Sequence, residues 1–167
     1  MNPRKSTSIF AIVALCAMSG VMASPVYASG EHDHHHGPQP TFSAGEPGDP
    51  KKPARIVQVA MRESDGKMLF VPEKIDVRRG EQVRFILRNN GALDHEFMLA
   101  TTEENLKHAE TMRKKPEMQH DEPNGREVKP GKTDELVWRF TTAGEFEFSC
   151  LIPGHREAGM TGKIVVK

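Results

Sequence analysis

The chain is short of cysteine, of aromatic residues and of net charge. Two cysteines in 167 residues exclude a small scaffold built on several disulfides. Lys and Arg number 23 and Asp and Glu number 23, so no basic excess exists to neutralise phosphates, and a nucleic-acid partner is excluded. Hydrophobic residues make up 37 % and aromatic residues 6 %, which suits one globular domain with a polar appendage and not a membrane bundle. Against these shortages stand eight His and nine Met. Imidazole and soft sulfur together are the ligands copper prefers.

Residues 1–28 read as a secretory signal. Arg4 and Lys5 form the positive start, Ile9 to Met18 the apolar run, and Val26-Tyr27-Ala28 a small-residue cleavage site. Cleavage after Ala23 is an alternative. The uninterrupted apolar run is too short to span a bilayer comfortably, so no membrane span is expected after cleavage, and the destination is the periplasm. Cleavage removes Arg4, Lys5 and no acidic residue, leaving 139 residues with 21 basic and 23 acidic groups. It also removes Cys16 and leaves Cys150 alone. A lone thiol in an oxidising compartment cannot form an internal disulfide and is open to oxidation. A metal would occupy it.

From residue 29 to 52 the chain is rich in Gly, Pro, His and acidic residues and has little to bury, and it reads as a disordered arm. From 53 to 167 short strands are expected, over 55–61, 74–78, 82–88, 95–99, 133–140, 145–150 and 162–167. Leu136, Trp138 and Phe140 share one face, as do Val57, Val59 and Met61. Many short strands without a βαβ rhythm imply an all-β antiparallel sandwich. The pattern breaks over about 102–125, where Glu103 to Lys115 favours a helix ended by Pro116. An insertion of this length between strands is more often functional than filler.

The chemistry sits in one loop, Cys150-Leu151-Ile152-Pro153-Gly154-His155-Arg156-Glu157-Ala158-Gly159-Met160. A thiolate, an imidazole and a thioether spaced C-x4-H-x4-M suit a trigonal His2Cys copper site with a weak axial Met. The second imidazole comes from Asp94-His95-Glu96, after the Asn89-Asn90-Gly91 turn. Structural zinc would want further close Cys or His. A binuclear copper centre would want a second loop cysteine where Gly154 stands. The His-x-His pair His32-Asp33-His34 lies in the arm, so the domain lacks a substrate-turnover site and is not expected to be an enzyme.

Val71-Pro72-Glu73-Lys74-Ile75-Asp76-Val77 with Gly80-Glu81, Asp94-His95-Glu96-Phe97, and the Cys-His-Met loop together resemble the cupredoxins, the type 1 blue-copper proteins. The loop is most similar in spacing to that of rusticyanin. The resemblance implies a Greek-key β-sandwich binding one mononuclear copper, with His95, Cys150 and His155 equatorial and Met160 axial. Many cupredoxins follow the first His with Asn or Ser, whose side chain ties the two ligand loops together. Glu96 stands there instead, which leaves a greener, tetragonally distorted site open. Leu151, Ile152, Pro153 and Ala158, joined by Ala92 and Leu93, would form an apolar collar around His155 for a transient redox partner.

Two further groups are candidate weak copper sites. The arm carries His32, His34, His35 and His36, a broken run suited to loose Cu(II) binding. The insertion carries Met112, Met118 and His120 with His108, soft candidates for Cu(I). A cupredoxin with a His-rich leader resembles the periplasmic copper-tolerance cupredoxins of Gram-negative bacteria. The expected role is therefore copper binding with electron exchange, and the alternative is a dedicated shuttle between respiratory or photosynthetic complexes.

Overall fold

Apolar–polar alternation with period two puts one face of a strand into a core, and it is clear over Lys74–Val77, Gln82–Asn89 and Gly144–Ser149, three of the ten strands among the described residues. The computed structural model describes residues 41–115 and 122–167. In chain order the elements are β1 (Glu46–Pro47), β2 (Arg55–Ser64), β3 (Lys67–Val71), β4 (Lys74–Val77), β5 (Gln82–Asn89), β6 (His95–Ala100), α1 (Thr102–Lys114), β7 (Gly125–Val128), β8 (Thr133–Arg139), β9 (Gly144–Ser149) and β10 (Thr161–Val166). They form two five-stranded sheets, ordered β1-β8-β5-β2-β3 and β4-β10-β9-β6-β7. Most pairs are antiparallel, but β2 runs parallel to β5 and β10 parallel to β4. The expectation of a purely antiparallel sandwich is corrected on this point: a sandwich whose chain crosses between sheets can bring two strands of like direction side by side.

The two inner faces meet in one aromatic-rich core. Val83, Phe85 and Leu87 of β5 face inward beside Leu136 and Trp138 of β8, and Phe146 and Phe148 of β9 face them from the other sheet. Phe97 stacks on Phe148 with ring centroids 5.0 Å apart, and Phe70 meets both rings edge-on. Such geometries add to the burial of large apolar side chains. The site grows directly from this core, because Cys150 follows the inward Phe148 by two residues and His95 precedes the inward Phe97 by two.

Strand β6 is buried on both faces. Its inner residues enter the core, and its outer face carries Met98, which packs with Met112 of α1 and with Leu151. The insertion helix therefore covers a sheet face that would otherwise stand open. Thr101 caps α1 through a full capping box, accepting from the Glu104 N–H while the Glu104 side chain accepts from the Thr101 N–H. Asn105, fully buried on α1, donates to Glu147 Oε1 at 3.2 Å, and Arg156 of the ligand loop donates to Glu147 Oε2 at 2.9 Å. Glu147 thus joins the helix to the metal loop.

The folded part starts earlier than the expected residue 53. Ala44 is fully buried, β1 pairs with β8, Phe42 meets Trp138 edge-on at 5.2 Å, and the Trp138 indole N–H donates to the Ala44 carbonyl at 3.3 Å. The physical reason is that Trp138 is the sole tryptophan and needs both an apolar cover and an acceptor for its N–H. Residues 42–47 supply both, so the boundary of the arm at 52 is corrected. The signal 1–28, the remainder of the arm to residue 40 with His32, His34, His35 and His36, and Met118 and His120 lie outside the described residues. Among the described residues no helix is long and apolar enough to cross a membrane.

Candidate metal centre

His95 opens β6 and is delivered by the loop 90–94. Asn89, fully buried, braces that loop: its side-chain amide donates to the Leu93 carbonyl at 2.7 Å and the Val128 carbonyl at 2.8 Å, and its Oδ1 accepts from the Gly91 N–H at 2.8 Å. The second loop, 150–160, is closed at its base. Cys150 N–H donates to the Met160 carbonyl and Met160 N–H to the His155 carbonyl, each at 3.1 Å. The spacing C-x4-H-x4-M is thus the length of one backbone-stapled loop, and Met160 is fully buried beneath it.

These loops bring three donors together. One ligand atom each from His95, Cys150 and His155 lies within 4.8 Å of the others, and all three residues are buried. His95 Nδ1 is 3.3 Å from His155 Nδ1, and Cys150 Sγ is 3.4 Å from His155 Nδ1. The far nitrogen of His95, Nε2, stands 2.8 Å from Glu63 Oε1. A neutral His95 donating to that carboxylate carries its proton on Nε2, so Nδ1 presents a lone pair inward. Two imidazole lone pairs and a sulfur converging in a buried space form a donor set that fits a soft or borderline cation.

The surroundings set the charge of this cluster. Burial pushes the Cys150 thiol up to about 12, although N–H groups of Glu96 and Ile152 oppose the shift. Burial, and next the neighbouring His95, hold the His155 imidazole below its ordinary value. Burial therefore disfavours both a protonated His155 and a bare thiolate, and a bound cation would take the place of the thiol proton. Glu96 N–H points at Cys150 Sγ at 3.3 Å, ready to donate to a thiolate.

Glu96 itself resolves the departure noted in the sequence. Its Oε2 accepts from the Leu151 N–H at 3.2 Å inside the protein, so a carboxylate ties the two ligand loops in the place where Asn or Ser was expected. Glu63 had no signal in the sequence. It lies 32 residues before His95 and is brought there by the register of β2 on β5. Met112 is buried on α1, packed against Met98, Leu151 and Ala109. Leu151 turns into the same cluster and leaves the collar, while Ile152 and Ala158 are half-buried and Ala92, Leu93 and Pro153 exposed. His108 lies 4.0 Å from Glu122, apart from the three-donor cluster.

The sequence profile of the copper-binding plastocyanin/azurin family matches residues 57–167, which include all four expected ligands. The chain belongs to this family of cupredoxins. Among curated relatives, the copper-resistant cuproprotein CopI of Rubrivivax gelatinosus is 45 % identical over 160 residues, covering 92 % of this chain and 95 % of the relative. CopI of Vibrio cholerae is 36 % identical, covering 80 % and 78 %. Among solved structures, auracyanin B superposes with a TM-score of 0.60 at 20 % identity, covering 74 % of this chain and 96 % of that one. The likeness to auracyanin B concerns the cupredoxin fold alone, and the cofactor of the family is copper.

Proposed function

We propose that this protein is an exported copper-tolerance cupredoxin, in which His95, Cys150, His155 and Met160 would hold one copper ion. The convergence of three buried donors within 4.8 Å carries this reading. Copper bound there supplies a one-electron Cu(II)/Cu(I) couple. Cys150 contributes the soft anionic donor, steadied by the Glu96 N–H. His95 and His155 contribute Nδ1, and the rigid loop bases limit how far the donors rearrange between the two charges. His155 also stands at the edge of the cluster beside exposed Pro153 and half-buried Ile152, a route for electrons to and from a transient partner.

The similarity to proteins named for copper resistance supports the tolerance role over a dedicated shuttle. The signal at 1–28 supports a periplasmic location, and binding with electron exchange, without turnover of an organic substrate, is the proposed chemistry. Deleting the gene is expected to sensitise cells to copper, with rescue by the wild type and not by Cys150→Ser. Unchanged copper tolerance together with a defect confined to one electron-transport chain would contradict the role and favour the shuttle.

A further inference from the structure

Glu63 closes no motif, yet it touches the back of a ligand. Its Oε1 is 2.8 Å from His95 Nε2, while Ala92 N–H donates to Oε2 at 2.9 Å and Leu93 N–H to Oε1 at 3.2 Å. The two amides fix the carboxylate. A Cβ on Gly91 would stand 2.3 Å from Glu63 Oε2, so glycine at 91 is what leaves room for the carboxylate. The His95 side chain is fully buried and that of Glu63 is 28 % exposed. A charge seated at the rim is thus wired to a buried ring.

We propose that Glu63 is a positioning residue of the metal centre, fixing the His95 ring with Nδ1 inward and biasing bound copper toward Cu(II). The proposal rests on the copper reading given above. A carboxylate accepting the far N–H of a ligating imidazole orients the ring and makes the opposite nitrogen more basic. A more basic donor backed by an anion favours the more highly charged metal ion. Such outer partners are worth about 10–100-fold in metal affinity. Where the loss falls on Cu(II) alone, it must reappear in the potential, which reports the ratio of the two affinities.

Glu63→Gln and Gly91→Ala, made in the full mature chain, test this together. The first removes the charge. The second keeps every charge and pushes the carboxylate aside, because the atom it meets is the end of a flexible side chain. Competition with Cu(II) and Cu(I) chelators gives both affinities, and a mediator titration gives the potential. Glu63→Gln is expected to keep the visible thiolate-to-copper band, to lose about tenfold in Cu(II) affinity and little in Cu(I) affinity. Its potential then rises by about 59 mV, the one-electron equivalent of tenfold. Gly91→Ala is expected to move the potential in the same direction, and it carries the test alone if Glu63→Gln does not fold. Equal losses in both affinities with an unchanged potential would make Glu63 a loop clamp only and overturn the proposal, as would no change at all. A wild type without the visible band would overturn the copper reading instead.

Discussion

At the scale of single residues, the centre is governed by side chains that do not themselves face the metal. Asn89 spends its whole side chain on backbone groups of the two segments flanking His95. Asn89→Ala would leave the buried Val128 carbonyl and its loop partners without their bonds. Orphaned buried groups cost about 1–3 kcal/mol each, so the metal-free protein is expected to lose about 2–3 kcal/mol in urea unfolding, given that part of the loop meets water. A loss below about 0.5 kcal/mol would show that the loop does not depend on this brace. Glu96 illustrates a second point. A carboxylate at the place of an amide keeps the tie to Leu151 N–H because only an acceptor is needed there.

Secondary-structure elements decide how the ligand loop is backed. Helix α1 presses Met112 on Leu151 and Met98 and shares Glu147 with Arg156. Its own start depends on the Thr101–Glu104 box, which Ser43 reinforces by donating to Glu104. Thr101→Ala is expected to cost about 1 kcal/mol, read by chemical denaturation. Burial acts to raise the Glu104 pKa, but the bonds from Ser43 and Thr101 win and hold it below the ordinary 4.5. A depressed carboxyl stabilises the fold fully above the unfolded value and loses that contribution as pH falls through the folded one. Stability attributed to this cap should therefore be intact above about pH 5 and decline on acidification below 4.5. Glu104→Gln should flatten that decline, and an identical acid profile in the variant would contradict the assignment.

The strap before β2 belongs to the same scale. Phe42→Ala removes the ring lying edge-on to Trp138. A cost of about 1–2 kcal/mol is expected from the lost pair and its burial, with a red shift of the emission of the sole tryptophan. Unshifted emission and unchanged stability would mean that residues 42–47 do not cover the core.

For the whole molecule, what could be read from the sequence depended on whether a feature was local. Val83-Arg84-Phe85-Ile86-Leu87 and Glu145-Phe146-Glu147-Phe148 announce strands because alternation is a property of neighbours. The C-x4-H-x4-M loop announces its chemistry for the same reason. The expected strands omit β3 because Lys67-Met68-Leu69-Phe70-Val71 does not alternate, although Asp65 and Gly66, both at positive φ (52° and 74°), form an Asp-Gly hairpin turn between β2 and β3. Strand β7 is too short and polar to show a period. The parallel pairings, the strap and the contact of Glu63 with His95 have no local signature, since each depends on the register of strands distant in sequence. Met112 could be read either way in the sequence, because an unbranched thioether serves packing as readily as metal binding.

The central claim is that Cys150, His95 and His155 form one mononuclear copper site. Titrating the metal-free mature protein with Cu(II) while recording the visible spectrum tests it most directly. The prediction is an intense thiolate-to-copper band that grows to an end point of one copper per chain, and its complete loss in Cys150→Ser. Extra copper bound by other residues would add no such band. A colourless wild type, or a band that survives in Cys150→Ser, would contradict the assignment.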